Sequence, residues 1–176
     1  MIKMIRTGLI STVMVVLMCG GVFAQGTFVP QGSAVVSALH IRYKDACSQA
    51  RPSITLTNIT NETIRVKVTM FDHTGDDISH FGTVYTGSRT SASAQMVTTG
   101  ENVFEIPPHS ARRYSGYNRH TAPIYVFGYA KIEWSSNDPQ LMKALVATCI
   151  HYESSNVSSS HSWSAERYLI NNGQPF

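Results

Sequence analysis

Ile64, Val66, Val68 and Met70 share one parity of the segment TIRVKVTMFD, and Arg65, Lys67 and Thr69 share the other. A period of two puts the apolar side chains on one face of an extended chain. The segment is therefore predicted to be a half-buried antiparallel strand. Asp72-His73-Thr74-Gly75 closes it with turn chemistry. Upstream, Val35, Leu39, Ile41 and Tyr43 share a parity broken only by Ser37, which predicts a strand over 33–43. Ile54 and Leu56 continue in ITLTN, and residues 58–61 turn the chain. Val103 to Ile106 begins another strand, bent away by Pro107-Pro108. YVFGYAKIEW (125–134) is apolar on both parities as far as Lys131, and ALVATCIHY (144–152) reads as a buried strand. About seven short strands separated by turns predict an all-β fold, an antiparallel β-sandwich.

Two stretches depart from the pattern. Residues 76–102 are rich in Thr, Ser and Gly with scattered apolar positions, which suits either a long connection or a short extra hairpin. Seven of the eleven residues 154–164 are Ser, the composition of a flexible linker. RYLINNGQPF (167–176) either docks as a last strand or hangs free.

The first 24 residues are different in kind. Lys3 and Arg6 precede an apolar run from Leu9 to Met18, and Val22 and Ala24 are small residues suited to cleavage before Gln25. These are the parts of a secretory signal peptide, and the run is short for a membrane span. The expected organisation is a signal peptide (1–24), a sandwich domain (25–153) and a Ser-rich linker with C-terminal tail (154–176). The mature chain is expected to be exported, periplasmic or secreted, and not membrane-spanning. A small outer-membrane barrel is disfavoured, because Asn172, Gln174 and Pro175 spoil the alternation of a lipid-facing last strand.

Charge narrows the functions. Charged residues make up 14% of the chain, and the formal charge is +3, two of it from Lys3 and Arg6. A weak, dispersed positive charge argues against a nucleic-acid partner. Export also makes a disulfide plausible between Cys47 and Cys149, the two cysteines left after cleavage.

The succession of a "TNIT" turn, TIRVKVTMFDHTG, FEIPPHSARRY and GYAKIEWSSNDPQLMKALVATCIHY resembles small bacterial β-sandwiches of the sensory rhodopsin transducer type. More generally it resembles immunoglobulin-like accessory modules. The likeness covers about residues 50–152. It implies an immunoglobulin-like sandwich that assembles or binds proteins or small ligands. Transducer-type proteins lack an export signal, so no functional residue is carried over. In a bacterial chain the sequons at Asn58, Asn61 and Asn156 read as turn residues rather than glycosylation sites.

Two constellations could carry chemistry. Asp72, His73, Asp76, Asp77 and His80 could hold a divalent cation, although their spacing fits neither the calcium loop nor the zinc helix, and a hairpin tip uses Asp and Gly in any case. Arg112, Arg113, Tyr114, Tyr117 and Arg119 could bind a carboxylate, phosphate or sugar ligand, with Trp163 as an exposed contact. No nucleophile elbow or S-x-x-K motif is present, and Cys149 sits in an apolar strand where a thiol is inert. The expectation is a non-enzymatic exported module without a cofactor, acting through a protein partner or its own copies. The alternative is a module binding carbohydrate, such as a surface glycan, or an anionic small ligand.

Overall fold

The computed structural model describes residues 27–45, 47–116, 122–157 and 160–176, with the backbone alone at 156, 157, 160 and 161. The expected signal peptide lies outside the described residues. Ten strands follow one another: β1 (Gly32–Asp45), β2 (Ser48–Asn58), β3 (Ile64–Asp72), β4 (Thr83–Thr86), β5 (Gln95–Thr99), β6 (Phe104–Ile106), β7 (Ala111–Ser115), β8 (Ile124–Ser135), β9 (Leu145–Val157) and β10 (Ser160–Leu169). They form one antiparallel sheet, nearly closed into a barrel, in the order β5-β4-β7-β2-β1-β8-β3-β6. β9 lies along the second edge of β2, and β10 lies on β9.

β2 is the hub. Its first residues pair with β1, its later ones with β7, and nearly its whole length with β9. Ile54 and Leu56, both fully buried, point one way from it, while Arg51 and Thr55 point the other.

The strand predicted from TIRVKVTMFD is β3, with Ile64, Val66, Val68 and Met70 in the core. On β8, Ala130, Ile132 and Trp134 are buried, and Tyr125, Phe127 and Tyr129 are exposed. Along β1 the single expected parity fails. Val36 is buried with Leu39 and Ile41, and Val35 is exposed. A β-bulge between Val36 and Leu39 is the cause, with Ala38 in the left-handed region at φ 57°. The extra residue switches which parity faces the core.

Among the described residues ten strands stand where about seven were expected. Residues 76–102 contain the hairpin β4–β5, and ARRYS forms β7 between β2 and β4. These pieces are four or five residues long with mixed apolar content, so their period is weak, and backbone pairing to neighbouring strands defines them. The Ser-rich segment is likewise a paired strand rather than a linker. β9 runs to Val157 and β10 returns beside it, with the Ser155 and Ser162 hydroxyls 2.6 Å apart. The ladder satisfies the backbone groups that a polar composition had suggested were solvated. The tail docks as well, burying Ile170 and Phe176.

Among the described residues no helix is long and apolar enough to cross a membrane.

Candidate functional site

Strand alternation divides the expected arginine–tyrosine patch. Tyr114 is wholly buried, and its hydroxyl donates to the Ser79 carbonyl at 3.4 Å. Burial pushes its phenol far above the usual value, so this ring is core rather than a ligand contact. Arg112 has the same parity as Tyr114. Its Nη1 donates to the Thr86 hydroxyl at 3.3 Å and to the Ala111 carbonyl at 3.0 Å. Arg113 has the opposite parity, and its guanidinium carbon stands 5.6 Å from the Tyr85 ring centre. Tyr117 and Arg119 lie outside the described residues.

Arg113 belongs instead to a cleft of about 470 Å³ that also takes in Arg51 of β2, Tyr85 of β4, Tyr152 of β9 and Trp163 of β10. The register explains the hollow. Ser53 and Ser115 sit opposite each other on β2 and β7, both nearly buried, and supply a floor of short side chains. Two residues away on β7, Arg113 is level with Tyr85; two residues away on β2, Arg51 is level with Tyr152. Large side chains therefore rim small ones. Trp163, 70% exposed, lies 6.2 Å from Tyr152 between ring centres and closes the β10 side. The Arg113 and Trp163 expected at a binding site thus meet in one cleft. Arg51, Tyr85 and Tyr152 were not anticipated, because only the pairing of distant strands brings them together.

The acidic constellation is a hairpin tip. Asp72 Oδ1 accepts from the Thr74 hydroxyl at 2.6 Å and from the N–H groups of Thr74 and Asp76 at 2.8 and 3.0 Å. The Thr74 hydroxyl above all holds the Asp72 carboxyl below its usual range. Asp77 Oδ1 accepts from the Ser79 N–H at 2.8 Å where the chain enters the short 3₁₀ turn 79–81. His80 packs on Phe81, and His73 stacks on Phe127. The carboxylates serve turn geometry, and among the described residues no group of three His, Cys, Asp or Glu converges as metal ligands.

The disulfide expectation is corrected. Cys47 is an exposed free thiol at the β1–β2 turn, and Cys149 is a buried one on β9. Cys149 is level with Ile54, seven residues along the chain from Cys47, which is about 23 Å at the rise of a strand. A disulfide needs Cα atoms within about 7 Å. Burial pushes the Cys149 thiol up, and the Tyr168 side chain lies against it.

A second surface is apolar. Tyr125, Phe127 and Tyr129 alternate along β8 with exposures of 64, 53 and 42%. Tyr129 stacks on Phe71 at 5.1 Å and Phe127 on His73 at 4.8 Å. Tyr125 reaches His40, which lies 3.7 Å from the His151 ring. The Lys131–Glu133 ion pair at 2.6 Å and the Arg42–Glu153 pair bound this ring surface along the strands. Its sequence signal was present in YVFGYAKIEW, where both parities are apolar although only one can face the core.

No family model, no curated protein and no solved structure matches this chain.

Proposed function

We propose that this chain is an exported, non-enzymatic β-sandwich module that acts by docking a protein surface, a second copy of itself or another protein, on the aromatic face of β8. The observation that carries the proposal is the run Tyr125, Phe127 and Tyr129, extended sideways by Phe71 and His73. These rings form one contiguous exposed apolar patch, and the largest such patch on a soluble protein is often functional. Aromatic side chains surrounded by polar and charged ones are also the composition of interface anchors. The immunoglobulin-like resemblance supports the sandwich reading, and the first 24 residues support export.

The test uses protein recovered after export by its own signal. Native mass spectrometry should show a chain starting at Gln25, and sedimentation should show discrete oligomers or a co-purifying protein. Phe127→Ser combined with Tyr125→Ser should dissociate them without changing the circular dichroism spectrum. A monomer with no cross-linked partner at any concentration would sink the proposal.

A further inference from the structure

The cleft between β4 and β10 is separate from the aromatic face and has its own chemistry. We infer that it binds a glycan bearing carboxylates, with Arg113 pairing the carboxylate and Trp163 and Tyr152 stacking on the sugar ring. Three features select this class over others.

First, the walls are aromatic, with Trp163 exposed and Tyr85 and Tyr152 half-buried. Trp163 and Tyr152 stand at the β10 side and Tyr85 at the β4 side. An apolar ring face lies well against such side chains, whereas a bare inorganic anion would leave them unused. Second, the floor is hydroxylic. Ser53 and Ser115, facing each other across β2 and β7, place two short donor–acceptor groups at the bottom of the hollow. A purely apolar ligand would strip them of water without replacing its hydrogen bonds. Third, the charge is of one sign. Among the described residues the lining includes the Arg113 guanidinium and Arg51, and no Asp or Glu. Arg113 stands over Tyr85, so its planar fork is held in place for two-point recognition of a carboxylate.

A uronic or sialic acid uses all three features at once. Its ring presents C–H groups to the indole, its hydroxyls face the serines and its carboxylate meets the guanidinium. Four sheet spacings separate β4 from β10, about 19 Å, so the cleft is long enough for more than one sugar ring. A single-stranded polynucleotide would also combine stacking with anionic charge, but the chain's small net charge disfavours it.

Tryptophan emission reads the cleft directly. The chain has two Trp; Trp134 is fully buried in the core, and Trp163 is exposed in the cleft. The probes are oligogalacturonate and sialyllactose for the two sources of carboxylated sugar, with maltohexaose as the neutral control and oligothymidylate as the nucleic-acid control. At low salt, one acidic saccharide should change the emission saturably, and the probe that does so identifies the source. The change should vanish in Trp163→Phe, whose remaining Trp134 emission confirms an intact core. Calorimetry, which needs no tryptophan, should show at least tenfold weaker binding in Arg113→Gln and an intermediate loss in Arg113→Lys. Four results would each overturn the inference: equal binding of maltohexaose, tighter binding of oligothymidylate, no binding of either acidic probe at millimolar concentration, or an Arg113→Gln variant that binds normally with an unchanged circular dichroism spectrum.

Discussion

Phe176 and Leu145 bind each other through both backbone groups. The Phe176 N–H donates to the Leu145 carbonyl at 3.0 Å, and the Leu145 N–H donates to the Phe176 carbonyl at 3.1 Å. The Phe176 ring is 8% exposed and packs in the core cluster with Ile170. The tail is therefore a clamp on the start of β9. Phe176→Ala should lower the unfolding free energy by about 3 kcal/mol, the usual cost of removing a buried ring. Urea denaturation checks it, and a loss under about 0.5 kcal/mol would mean that the ring does not pack in solution.

That clamp shows how far the sequence could be read. β3 was legible because four apolar residues keep one parity without a bulge, and each is buried. β1 was legible as a strand but not in its facing, because nothing local announces a left-handed Ala38. The tail is short and mostly polar, and what orders it is Leu145, some thirty residues away. The cleft was half legible. Arg113 and Trp163 stood out by type, but five paired strands assemble the site, and their register follows from long-range packing that no local pattern encodes. Tyr114 misled for the same reason. Its neighbours in sequence are polar, yet its position level with Ile54 places it in the core.

Asn58 should be among the least replaceable polar residues. It is fully buried, and its Nδ2 donates to the carbonyls of Glu62, Ile106 and Pro107 at 2.7–3.0 Å. Its Oδ1 accepts from the N–H and hydroxyl of Thr60 at 2.9 and 2.8 Å. The first sequon is thus a turn lock whose side chain the fold encloses. Asn58→Ala should cost about 2 kcal/mol through unpaired carbonyls. Asn58→Asp should cost more, about 4 kcal/mol at pH 7, because it sets a buried charge against three carbonyl oxygens. Its deficit should narrow as the pH falls and the carboxyl takes up a proton. An Asn58→Asp chain within about 1 kcal/mol of the parent would refute this account.

The two described thiols should differ in reactivity. Maleimide added to the folded protein should label Cys47 within minutes and leave Cys149 untouched, as their exposure and the raised Cys149 pKa require. Denaturant without reductant should then expose Cys149 to label. Peptide mapping assigns each site. A cross-linked peptide containing both cysteines would restore the disulfide and contradict the strand register.

His40 gives the stability a pH dependence whose sign can be stated. It lies against His151, whose Nε2 is 2.9 Å from the His40 carbonyl oxygen. Burial first, and then the neighbouring imidazole of His151, hold its pKa below the usual 6.5. Arg42 acts in the same direction, while Glu153 and Glu166 oppose it. Between the folded value and 6.5 the unfolded chain binds more protons than the folded one, so stability rises with pH across that window. The contribution is complete above about pH 6.5 and is lost as the pH falls through the folded pKa. Urea midpoints at pH 7.5, 6.5 and 5.5 should decline more steeply for the parent than for His40→Gln, which carries no proton to gain. Parallel declines would show that other groups govern the acid limb. A shallower decline for the parent would reverse the sign and place the His40 charge in a favourable environment.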